Sequence, residues 1–190
     1  MQVIFSKFSI ILLTMAFFVN SSYLDFNCKS EICKAVYTGN HKKLKILLKK
    51  NKKLVNIKEK YNNSILHVAV LNQDIDSVNI LIENKVNINE QDAGGATPLH
   101  IAARGGLVNI MASLIGANAD IDAQDNEGFT PIMRATLLGK SDAVSLLLLA
   151  GSNCKLKTHY GQNLSSINSG KLSKAVQIQF QNYIQQCQAN

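Results

Sequence analysis

Apolar residues return at steps of three and four in four separate stretches. These are Leu44, Leu47 and Leu48; Val78, Leu81 and Ile82; Val108, Met111, Leu114 and Ile115; and Val144, Leu147 and Leu148. Such steps place side chains on one face of an α-helix, so each stretch predicts an amphipathic helix with one face to bury. Leu48, Leu81, Leu114 and Leu147 follow one another at intervals of 33 residues. Equal spacing predicts one structural unit copied along the chain, each copy hiding its stripe against the next.

Ahead of these helices a second pattern keeps the same interval. Gly95-Ala96-Thr97-Pro98-Leu99-His100-Ile101-Ala102-Ala103 is followed 33 residues later by Gly128-Phe129-Thr130-Pro131-Ile132-Met133-Arg134-Ala135 and preceded by Asn62-Asn63-Ser64-Ile65-Leu66-His67-Val68-Ala69. Thr97 and Thr130 are suited to cap a helix, because a side-chain oxygen accepts from a first-turn amide. Pro98 and Pro131, the only two prolines of the chain, then fall at the first helical position, where no N–H is needed. Gly95, Gly128 and Gly161 mark tight turns with positive φ. Leu99, Ala102 and Ala103 supply an apolar stripe of small residues, so each unit holds two helices.

A 33-residue period carrying Thr-Pro-Leu-His-x-Ala resembles the ankyrin repeat family. The resemblance implies an all-α solenoid of stacked helix-turn-helix units with turn or hairpin loops. It divides the chain into a capping repeat at 28–60, repeats at 61–92, 93–125 and 126–158, and a C-terminal cap at 159–190. In the first, Ser30 to Val36 replaces the signature; in the last, Asn163-Leu164-Ser165 does, while Val176, Phe180, Tyr183 or Ile184, and Cys187 keep helical spacing. Glu83-Asn84-Lys85 stands where a helix-ending glycine is usual, and Asn84 is expected to take the left-handed conformation there.

Residues 1–22 differ from the rest. Lys7, the apolar run Phe8 to Val19 and Asn20-Ser21-Ser22 have the order of a secretory signal peptide cleaved near Ser21 or Ser22. The run is shorter than the roughly 20 residues that span a bilayer. The expectation is an exported protein, periplasmic or secreted, soluble and without a membrane partner after removal of the signal.

The formal charge is +7, and its distribution matters more than its sum. Residues 28–60 hold eleven lysines against Glu31 and Glu59, whereas 61–92 hold one lysine against five acids. The basic cluster Lys42, Lys43, Lys45, Lys49, Lys50, Lys52 and Lys53 suits either the solvated outer face of a terminal repeat or the capture of an acidic partner or surface. Without interleaved aromatics, nucleic acid is not expected. Cys33 aligns with Leu66, Leu99 and Ile132, and Cys154 with Ile88 and Ile121. Both are therefore expected as buried hydrophobes rather than halves of a bridge, although Cys28 and Cys33 are close enough to join.

His67 and His100 share one slot, and in proteins resembling this one that histidine bonds between adjacent turns. His41 and His159 are expected to lack partners. No nucleophile elbow, phosphate loop or H-E-x-x-H is present. Asp120, Asp122 and Asp125 lack the glycine and distal glutamate of a calcium loop and are expected as turn and capping residues. No catalytic residue, metal or cofactor is assigned. What the resemblance implies is a monomeric, non-catalytic module that binds a protein, still unidentified, through turn tips and the concave side of the first helices. Carried over by position, the contact residues are Tyr61, Leu71, Asn72, Ala96, Arg104, Phe129, Leu137 and Leu138, with Phe129 and the three leucines exposed.

Overall fold

The computed structural model describes residues 28–167 and 169–189; the predicted signal segment lies outside them. The described residues form four helix pairs and a closing helix: α1 (Glu31–Tyr37) and α2 (His41–Lys50), α3 (Ile65–Leu71) and α4 (Ile75–Glu83), α5 (Pro98–Gly105) and α6 (Val108–Gly116), α7 (Pro131–Leu137) and α8 (Ser141–Leu149), then α9 (Lys174–Ala189). No strand occurs among the described residues; the turns contribute only two isolated bridges, Lys58 to Ser64 and Lys157 to Asn163.

Helices of seven to ten residues are too short to persist alone, so stacking must hold them. First helices pack in series as α1, α3, α5 and α7, and second helices as α2, α4, α6, α8 and α9. Between the rows lie Leu48, Leu81, Leu114 and Leu147, all buried. Each such leucine contributes roughly 1.5–3 kcal/mol by leaving water.

Helix starts follow the predicted chemistry with one exception. Ser64 and Thr97 accept from the amides of His67 and His100, but the Thr130 hydroxyl makes no cap bond and is buried without a partner. At the end of α4 the expectation for Asn84 fails. Asn84 has φ −89°, and Lys85 takes the left-handed conformation at φ 60°. Lys85 occupies the slot of Asn118 at φ 64° and Gly151 at φ 86°, so the reversal falls one residue later than composition suggests. The Asn84 amide instead donates to the carbonyl of Ile80.

The two ends are closed by disulfides, which corrects the expectation for the cysteines. Cys28 joins Cys33 and Cys154 joins Cys187. Cys33 and Cys154 are indeed buried, but burial and bridging are compatible because a disulfide is itself apolar. At the N-terminal end the Glu59 carboxylate also accepts from the backbone of Lys29 and Ser30 and from the Ser30 hydroxyl. At the other end a single 3₁₀ turn, Leu164–Ser166, replaces the first helix of a pair. There α9 buries Phe180 and Ile184, and its Tyr183 hydroxyl donates to the carbonyl of Ser152.

Candidate interaction surface

The turns between repeats are built on one recurring acceptor. Asp92 Oδ1 accepts from the amides of Gly94 and Ala96, Asp125 Oδ1 from those of Glu127 and Phe129, and Thr158 Oγ1 from those of Tyr160 and Gln162. Each turn donates to its predecessor: Ala93 to the carbonyl of Tyr61, Asn126 to that of Gly94, and His159 to that of Glu127. Gly95 and Gly128 sit where this approach is closest. A Cβ on Gly95 would lie 2.6 Å from the amide nitrogen of Asn126, and one on Gly128 2.8 Å from that of His159. In the first turn Tyr61 and Asn62 hold φ near 60° without glycine. Tyr61 is half exposed with the ammonium of Lys60 at 4.8 Å from its ring.

Two buried histidines tie the turns to the first helices. His67 Nε2 bonds the carbonyl of Ala96 and His100 Nε2 that of Phe129, each at 2.9 Å. A carbonyl only accepts, so Nε2 carries the proton; Nδ1 then accepts from the amide of Ser64 or Thr97. Burial pushes both histidines below the usual imidazole range, against the pull of the carbonyl bonds, which keeps them neutral. Both are structural, as expected from their shared slot. His41, expected to stand alone, is instead 2.8 Å from Asp74, one period away on the start of α4. Burial would raise the Asp74 carboxyl, but bonds from Ser77 and His41 outweigh it and hold it low. The acids Asp120, Asp122 and Asp125 each accept a backbone amide in a turn.

The eight residues assigned to partner contact do not all reach the surface. Arg104 and Asn72 are exposed, and Leu71, Ala96 and Leu137 are half-buried. Leu138 is 50% and Tyr61 49% exposed. Leu71, Arg104 and Leu137 share one register slot at the C-terminal ends of α3, α5 and α7. Arg104 makes no side-chain hydrogen bond or ion pair among the described residues. Asn72 is partly committed, since its amide donates to the carbonyls of Val36 and Tyr37.

Phe129 corrects the expectation of exposure: it is 8% exposed. The guanidinium carbon of Arg134 lies 4.1 Å from its ring centroid. Arg134 in turn donates through Nε to Asp125 at 2.7 Å and through its terminal nitrogen to Glu127. Position alone could not show this lid, because the same slot holds Ile101 and Val68 in the other repeats. Two acids and one arginine within ten residues were the available signal.

Models of ankyrin repeats match residues 85–158, as three copies, and 47–102, as many copies. Together they cover 47–158, more than half of the chain. The chain belongs to the ankyrin repeat family. No curated protein matches it. Ankyrin repeats are generally protein–protein interaction modules, and the family is typically non-catalytic.

Within this ankyrin solenoid, His41, Asp74 and Asp76 form the one group of three metal-ligating side chains among the described residues, with ligand atoms within 4.8 Å of one another. Asp74 is already engaged by Ser77 and His41, as a capping residue between two repeats would be. No helix of the described residues is long and apolar enough to cross a membrane.

Proposed function

We propose that this ankyrin repeat protein is an exported, non-catalytic module that docks a protein ligand on the exposed ends of its first-helix row and the adjoining turn tips. The observation that carries the reading is Arg104. It is exposed and unpaired, flanked in its own slot by half-buried Leu71 and Leu137, with half-exposed Leu138 one residue further on. An unpaired guanidinium among apolar side chains on a rigid row is the composition of interface hot spots, and rigidity lowers the ordering cost of contact. The ligand that fits presents a carboxylate between apolar side chains.

Export is supported by the basic-then-apolar order of residues 7–22 and by two disulfides with no free cysteine among the described residues. Such bridges persist in oxidising compartments such as the periplasm or the extracellular space. The reading is tested by affinity capture from the native source with the parent protein and with Arg104→Glu/Leu138→Asp, both surface positions. The expected result is one dominant captured protein whose recovery falls at least about tenfold with the variant, as for loss of a hot spot. Equal recovery by a variant with unchanged circular dichroism rejects the surface.

A further inference from the structure

A second surface lies on the opposite, second-helix row of the first repeat. Lys42, Lys45, Lys49, Lys50, Lys52 and Lys53 are exposed and make no ion pair among the described residues, whereas Lys34 and Lys43 share Glu31 and Lys58 is paired with Glu90. Leu44 and Leu48 turn inward. At 100° per residue, Ile46 then points directly away from the core, with Lys42 and Lys49 on one side of it and Lys50 on the other. Ile46 is 47% exposed. The stripe is therefore a cationic helix face with an apolar centre, not a uniformly polar cap.

We infer that this face docks on the phosphate headgroups of an anionic bilayer. Lysines are flexible point charges that suit many phosphates on a plane and lack the fork that reads a base edge or clamps one carboxylate. One outward helix face has no groove to enclose a strand, and no aromatic side chain stands among the lysines to stack on a base. Ile46 decides for lipid: an apolar side chain ringed by ammonium groups enters the headgroup layer while the lysine stems lie along it, whereas a soluble polyanion has no use for it. No spanning segment is needed. The face is separate from the Arg104 row, so either surface can fail alone.

The test is sedimentation of the full chain with phosphatidylcholine vesicles and with phosphatidylcholine/phosphatidylglycerol vesicles. Any contribution of the apolar residues 8–19 is common to both lipids, so the difference between them reads the electrostatic part of binding, which the lysine variants below assign to a face. Binding to the anionic vesicles is expected to be stronger. It should fall about fivefold for each lysine removed, about a hundredfold for Lys42→Gln/Lys45→Gln/Lys49→Gln, and vanish when salt rises from about 0.1 to about 1 M. Ile46→Gln should weaken it severalfold, while Lys155→Gln/Lys157→Gln/Lys171→Gln, an equal charge loss elsewhere on the surface, should leave it nearly intact. Equal binding to both vesicles, an equal loss with the control triple, or no effect of Ile46→Gln overturns the proposal. So does tighter retention on duplex DNA or polyglutamate than on the anionic vesicles.

Discussion

The imidazole of His100 donates through Nε2 to the carbonyl of Phe129 at 2.9 Å, joining the start of one helix pair to the turn that opens the next. His67 and Ala96 repeat the bond one period earlier. These bonds are made by neutral rings, and burial lowers both histidines. In the unfolded chain each ring titrates near its ordinary value of about 6.5. Between that value and the lower folded one, the unfolded state binds more protons, so stability rises with pH. The stabilisation is complete above about 6.5 and is lost as pH falls below it, by at most about 1.4 kcal/mol per histidine per pH unit. Urea denaturation between about pH 7.5 and 5 checks this; a flat profile over that range would refute it.

The two threonine caps should respond differently to the same change. Thr97 completes a reciprocal capping box with His100, whereas Thr130 faces Met133 in the histidine slot and its hydroxyl is buried without a partner. Thr97→Val removes a cap and is expected to cost about 0.5–2 kcal/mol. Thr130→Val removes only an unsatisfied hydroxyl and is expected to be neutral or stabilising. Equal losses in chemical denaturation would mean that the Thr130 hydroxyl does have a partner.

Glycine substitutions should rank by how closely the next turn of the stack approaches each position. Gly95, Gly128 and Gly161 all have φ between 75° and 79°, so alanine pays the left-handed penalty of about 1–2 kcal/mol at each. At Gly95 and Gly128 the new Cβ also meets the backbone of the next turn, while at Gly161 nothing lies within 4 Å. Melting temperatures are expected to fall clearly further for Gly95→Ala and Gly128→Ala than for Gly161→Ala.

The helix pairs and the histidine slot were legible because stacking repeats one local problem, and the solution recurs in the residues at a fixed interval. What escaped were interactions that break the repeat. Cys28 and Cys187 lie beyond the aligned positions of Cys33 and Cys154, so register reported only the buried halves of the two disulfides. Arg134 replaces an aliphatic residue and covers Phe129, turning a predicted contact residue into part of the core. His41 and Asp74 were findable, since their separation is one period, but a search for ligands along single helices overlooks a pair that spans two repeats.

Core leucines on the second-helix row should be the most sensitive aliphatic positions. Leu114 and Leu147 are fully buried between helix rows, whereas Leu149, two residues beyond Leu147 on the same helix, is 78% exposed. Leu114→Ala and Leu147→Ala each lose transfer energy and leave a cavity, an expected cost of about 2–5 kcal/mol. Leu149→Ala should stay within about 0.5 kcal/mol of the parent. The contrast in urea midpoints tests the packing directly, and losses under about 1 kcal/mol at both core positions would show that the two rows do not meet there.

Opening the Cys154 to Cys187 bond should loosen the closing helix first. The bond closes 33 residues, for which chain entropy gives about 3–4 kcal/mol. It holds α9 on a unit that has one 3₁₀ turn where the other repeats have a full first helix. Cys154→Ser/Cys187→Ser is therefore expected to lower the free energy of unfolding by an amount of that order and to speed hydrogen exchange in α9 ahead of α3 to α6. The inner repeats bury both sides against neighbours, whereas α9 packs chiefly on α8. Uniform acceleration along the whole solenoid would instead mean that the bond stabilises the stack as one cooperative unit.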